Sequence, residues 1–251
     1  MIKKTTRTVI GSPIPLGTSG SVLFIDADGK LAQDNAAFFW DGLNNRLGIG
    51  RTPTASQLEI GDATNYSEFE ADGTLKMNGA ATVFNDINLS ANALGTGASS
   101  PSKAAIASTT IRTYAFNGTA TADELHGSFE IPHSYKEGSN LSFHVHWMPT
   151  TAGAGDVKWQ LEYFWINEGG TASTSDTVSI TTTAGGTAWV EKISTFADIS
   201  GASKTSQGRF AFRIFRDPSD VADTYGDSAA LLDVGVHFEE DTIGSRTVNA
   251  K

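Results

Sequence analysis

The stretch LSFHVHW, residues 141–147, decides the fold class: Phe143, Val145 and Trp147 fall on alternate positions, with His144 and His146 between them. Successive side chains of a β-strand point to opposite faces, so the pattern puts an apolar row and a polar row on the two sides of one strand. A second stretch, WQLEYFWI at 159–166, sets Trp159, Leu161, Tyr163 and Trp165 on one face and Gln160, Glu162, Phe164 and Ile166 on the other. Apolar residues on both of its sides predict a strand buried on both faces. Phe210, Phe212 and Ile214 form another inward row, and Leu232, Val234, Val236 and Phe238 a last one. No segment sustains a 3.6-residue apolar period, so the chain is expected to be all-β. Residues 110–251 are expected to form a jelly-roll-like antiparallel β-sandwich.

Upstream, residues 88–109 are small and polar and predict a linker. Residues 1–87 predict short β-hairpins. Residues 22–25 and 30–33 flank the turn Asp26-Ala27-Asp28-Gly29, residues 37–40 and 46–49 flank a turn through Asn44 and Asn45, and residues 67–71 and 74–77 flank Asp72-Gly73. Two-stranded units are marginal in water, and these would leave Phe24, Phe38, Phe39 and Trp40 uncovered. Those four residues are therefore the expected contacts between copies of the chain in an anchoring region, because a closed rotational assembly covers such surface without leaving an open end.

Composition narrows the function. Hydrophobic residues make up 39% and charged residues 18% of the chain, below the usual ~45–50% and ~25%, which suits many short strands joined by polar turns. The formal net charge of −10 excludes a general nucleic-acid binder, which needs a basic face to displace counterions. The absence of cysteine removes disulfides and thiolate metal sites. No apolar run approaches a membrane span, and residues 1–16 lack the apolar core of a signal peptide, so neither a membrane partner nor signal-directed export is expected.

Candidate chemistry is sparse. His144 and His146 share a strand face about 7 Å apart, a spacing at which two imidazoles can converge on a metal, with His133 and His237 as possible additions from neighbouring strands. Asp217, Asp220, Asp223 and Asp227 crowd one loop in the manner of a calcium site. Asp26 and Asp28 begin like a calcium loop, but Lys30 and Ala37 occupy positions where an EF-hand needs oxygen donors. The expectation is nevertheless that neither cluster holds a metal and that no cofactor is bound: interface histidines and a solvated acidic loop explain the same residues. Trp159, Trp165 and Trp189 could stack sugars if exposed, whereas aromatic rows of this kind are usually core. Nucleophile elbow, Walker and dinucleotide motifs are all missing, and no catalytic residue is expected.

The stretch GSVLFIDADGKLAQDNAAFFWDGLNNRLGIGRTPTASQLEIG, residues 20–61, resembles the short hairpin repeat of tail-fibre and related virion proteins of tailed phages. SEFEADGTLKMNGAATVFNDI (67–87), IPHSYKEGSNLSFHVHW (131–147), VKWQLEYFW (157–165) and VGVHFEEDTIGS (234–245) resemble a β-rich phage domain. The resemblance implies a non-enzymatic, homotrimeric short fibre, spike or capsid-decoration subunit, with Phe24, Phe38, Phe39 and Trp40 as its trimer contacts. It would sit on the virion surface, be made in the host cytoplasm, and have other virion proteins as partners. A receptor- or carbohydrate-binding module of the adsorption apparatus, with a host-surface glycan as partner, is the alternative. Self-cleaving chaperone domains end many long fibres of this type, and none follows the repeat here, which favours a short spike or decoration over a long fibre.

Overall fold

Aspartate-led turns fix the N-terminal hairpins, because a carboxylate that accepts the N–H two residues ahead closes the chain on itself. Asp26 Oδ1 accepts the N–H groups of Asp28 at 3.0 Å and Lys30 at 2.8 Å, Asp41 Oδ1 those of Leu43 and Asn44, and Asp72 Oδ1 that of Thr74. In the computed structural model, which describes residues 16–119, 122–172 and 174–248, these turns join β1 (Leu23–Ile25) to β2 (Leu31–Gln33), β3 (Phe38–Asp41) to β4 (Arg46–Ile49), and β6 (Tyr66–Phe69) to β7 (Leu75–Asn78). The start of the chain, read above for a signal sequence, lies outside the described residues up to residue 15.

One strand had no counterpart in the sequence reading. β5 (Leu58–Gly61) pairs parallel with β4 and antiparallel with β6, so two hairpins merge into one sheet of order β3-β4-β5-β6-β7. The connection between β4 and β5 folds back tightly over Gly48, where a Cβ would lie 2.0 Å from the Arg51 carbonyl oxygen. Glycine is required there by space alone.

The chain divides into two units between Thr82 and Val83. This moves the boundary from residue 87 and removes the expected linker: residues 88–109 hold the end of β8 (Val83–Ser90), a one-turn 3-10 helix (Ala91–Ala93), β9 (Gly95–Thr96) and β10 (Ser102–Ala105). Small residues misled the reading because they bury by position rather than by size; Ala91 is fully buried and Leu94 nearly so.

The second unit is the expected sandwich. One sheet runs β10, β11 (Arg112–Phe116), β18 (Ala229–Glu240), β13 (Leu141–Pro149), β16 (Lys192–Thr195), with β8 also on β18; the other runs β15 (Asp176–Thr183), β14 (Asp156–Ile166), β17 (Arg209–Arg216), β12 (Asp123–Glu130), β9. All the strand pairings in both are antiparallel. Between them lie Phe143, Val145 and Trp147 from one side and Trp159, Leu161, Phe210 and Ile214 from the other, all fully buried. Phe143 and Phe210 stack at 4.8 Å, and Trp159 meets Phe116 edge-on at 5.0 Å. Each such side chain contributes roughly 1.5–3 kcal/mol by leaving water.

Two details depart from the sequence reading. The β13–β18 register slips between His146 and Trp147, so His146 faces Asp233 while Trp147 faces Leu231. Leu232 is the extra residue of this β-bulge, and Leu231 takes the inward place assigned to it. β14, expected to be buried on both faces, is buried on one; Gln160, Glu162, Phe164 and Ile166 are only half-buried, because no layer of this unit covers the outer side of their sheet.

Candidate functional site

The first unit is built inside out. Register places Phe38, Trp40, Leu47, Ile49, Leu58, Ile60, Ser67, Phe69, Leu75 and Met77 on one face of the five-stranded sheet. That face carries no charge, and none of the ten side chains is buried; Trp40, Ile60 and Phe69 are each more than 40% exposed. The opposite face is charged and closed. Glu59 there is fully buried, accepts the N–H groups of Thr54, Ala55 and Ser56, and pairs with Arg51 Nε at 2.7 Å. The Arg51 guanidinium stacks 3.6 Å over Tyr66, and Glu68 accepts bonds from Ser56 and Asn78.

Of the four expected trimer contacts, Phe38 and Trp40 lie on the open face. Phe39 points the other way and packs under Gly20, where a Cβ would meet its ring at 2.5 Å. Phe24 belongs to the separate β1–β2 ribbon, 41% exposed. Alternation along β3 requires this split: adjacent aromatics on a strand cannot share a face.

Burial by itself would raise the Glu59 carboxyl, but the three backbone donors and Arg51 outweigh it and hold the group below the usual carboxylate range. Asp62 is held at about 2, chiefly by the backbone N–H groups of Asn65 and Thr64. A depressed folded-state pKa stabilises the fold above the unfolded value and loses that contribution as pH falls through the folded one. The first unit should therefore be fully stable above about pH 5 and loosen as pH falls from about 4 towards 2. Trp40 fluorescence during an acid titration measures this, and Glu59→Gln should flatten the response.

In the sandwich, the outer side of the β14–β17–β12 sheet holds a hollow of about 870 Å³ lined by Glu124, His126, Ser128, Glu162, Phe164 and Arg213, among others. Arg213 spans it, bonding Glu124 at 2.6 Å and Glu162 at 2.7 Å. Hydrogen bonding to Arg213 outweighs burial and keeps the Glu124 carboxyl below its usual range. Glu162 is held down first by the Ser175 hydroxyl. Both carboxylates are therefore ionised and engaged with each other's partner, an arrangement suited to fixed polar recognition rather than to proton transfer.

The tryptophans are not a sugar platform: Trp159 and Trp165 are core, and only Trp189, with φ +60°, is half-buried. In the acidic loop each carboxylate has its own partner. Asp217 caps Ser219, Asp220 pairs with Lys158, and Asp227 accepts the Thr151 hydroxyl at 2.5 Å. Asp223 forms a buried bidentate pair with Arg216, both contacts 2.8 Å. Arg216 also donates to the carbonyl oxygens of Phe116, Asp227 and Tyr225, which ties the loop to the sandwich floor.

The histidines sort differently from the expected pair. His146 is taken up by Glu191 at 2.8 Å and lies 4.0 Å from Asp233, and His133 bonds Ser245. His144 meets His146 edge-on, ring centroids 5.1 Å apart, and lies closer to His237, at 4.6 Å, beside Asp86. Asp86, contributed by β8, went unnoticed in the sequence because residues 78–87 were assigned no strand between the last hairpin and the expected linker.

No protein-family model matches the chain, and no curated protein does. Among solved structures it is similar to a CBM36 domain of a multidomain xylanase from a Trinervitermes trinervoides hindgut metagenome (11% identity, 61% of this chain and 96% of that one, TM-score 0.35). It is also similar to a family 35 carbohydrate-binding module from Clostridium thermocellum (8%, 61% and 97%, TM-score 0.39), and to a CBM35 from Cellvibrio japonicus (14%, 66% and 100%, TM-score 0.37). None of these likenesses says what this chain binds.

Proposed function

We propose that the chain is a non-enzymatic, self-assembling structural subunit of a tailed-phage particle, a homotrimer whose first unit joins the copies and whose sandwich is displayed on the surface. The observation that carries the assembly is the bare apolar face of the five-stranded sheet. Soluble monomers rarely leave such a surface open. In a chain of net charge −10, an uncharged face is also where further copies can meet without burying like charges. The phage setting rests on the hairpin repeat of residues 20–61.

A second reading, a carbohydrate-binding module of the adsorption apparatus, is favoured by the hollow over Arg213. Its ion-paired floor, the hydroxyls of Ser128 and Ser175 and the half-buried ring of Phe164 offer the mixture of fixed polar groups and apolar surface that small polar ligands need. Screening the full chain against a glycan array tests it. Under this reading a hit is weakened about tenfold or more by Phe164→Ala and by His126→Ala, roughly the loss of one good contact. Binding that ignores both substitutions would remove the hollow as the site.

A further inference from the structure

The outer face of the β8–β18–β13 sheet brings His144 together with His237 and with Asp86, a carboxylate absent from the expected histidine set. Asp86 and His237 are directly opposed across β8 and β18, and His144 lies one diagonal step away on β13. One donor atom from each lies within 4.8 Å of the other two. Among the described residues this is the group of His, Asp and Glu side chains so placed.

We propose that Asp86, His144 and His237 bind a divalent first-row transition ion, with zinc as the ion of reference, and that the ion ties β8 to β18 and β13. Two imidazoles and one carboxylate suit such a metal rather than calcium or magnesium, which take oxygen donors. Three protein donors leave a fourth position for water.

Two further features point to a ligand. His144 is only 4% exposed, yet its Nδ1 is buried without a hydrogen-bond partner, a state that costs the desolvation of a polar atom with nothing in return. The ring lies flat against Gly235, where a Cβ would come within 2.2 Å of Nε2, so glycine keeps open the space the imidazole occupies. Asp86 is already oriented, with Oδ1 accepting the Val236 N–H at 3.2 Å and Oδ2 left for the ion. Tetrahedral zinc needs its donors about 3.3 Å apart, a closure that rotation of the exposed Asp86 and His237 side chains supplies. His237 also lines a hollow of about 830 Å³ open to solvent, which gives the ion a way in.

The test is titration of the chelator-stripped full chain with Zn²⁺ by calorimetry and with Co²⁺ by absorption. The expected result is one ion per chain, a cobalt spectrum of tetrahedral type, and a higher melting temperature with zinc. His237→Ala and Asp86→Asn, both at exposed positions, should weaken binding by about tenfold or more while leaving the circular dichroism unchanged. His146→Ala should leave binding intact. Absence of a stoichiometric ion, or binding that survives His237→Ala, overturns the assignment. Binding lost with His146→Ala and retained in the other two variants would move the site to Glu191 and Asp233 and overturn it equally.

Discussion

Replacing Asp223 with alanine should destabilise the sandwich by about 3–5 kcal/mol, a large share of the roughly 5–15 kcal/mol that holds a domain folded. The substitution leaves the Arg216 guanidinium fully buried with no counter-charge and strips the Lys158 N–H of its acceptor. Converting the pair to apolar residues, as in Arg216→Met with Asp223→Leu, should recover part of the loss by removing the stranded charge. It should not recover all of it, because the carbonyl oxygens of Phe116, Asp227 and Tyr225 lose their donor at about 1 kcal/mol each. Urea unfolding followed by tryptophan emission reads the effect, since Trp147, Trp159 and Trp165 are all in this core. A loss below about 1 kcal/mol for Asp223→Ala would mean that the pair is hydrated and the loop not anchored by it.

The second large effect concerns assembly. Light scattering on the proposed homotrimer should give three times the 26.5 kDa chain mass, and Ile60→Lys should convert it to monomer at micromolar concentration. Ile60 lies on the central strand of the open face and is 43% exposed, so a lysine there is tolerated by the isolated chain. Symmetry brings like charges together in the assembled one. Burying them costs several kcal/mol, which raises the dissociation constant on the order of 100-fold or more. Leu43→Lys, at a turn residue 90% exposed and off the sheet face, is the control and should leave the mass unchanged. A monomeric wild-type chain would end the trimer proposal and the anchoring role of the first unit.

Alternation made the sandwich legible. Phe143, Val145 and Trp147 could only be one face of a strand, and the Asp-Gly turns could only close hairpins. What one dimension hid were matters of pairing. Nothing local in Leu58 to Gly61 announces a parallel partner, so β5 and the sheet it completes were invisible, whereas the division of Phe38 and Trp40 from Phe39 was legible in the alternation of β3. Leu232 reads as core until the bulge at Trp147 is known. The acidic run from Asp217 to Asp227 looked like a shared site because its partners, Lys158, Thr151 and Arg216, lie on other segments or, for Arg216, on the strand just before it. The histidine cluster was half visible: His144 and His237 carried the right chemistry, but Asp86 enters through pairing across 150 residues.

That same pairing sets a clock. β8 emerges from the ribosome early, and its lateral partner among the described residues is β18, which ends at Glu240. At about 5–20 residues per second, β8 waits on the order of ten seconds or more before its partner is made. Contacts so distant in sequence are closed late and against a large entropy of loop closure. The first unit, whose strands are neighbours in sequence, can form well before that. A nascent chain would then carry a finished apolar face beside an unfinished sandwich, so copies made on one message could meet through that face while their sandwiches were still incomplete.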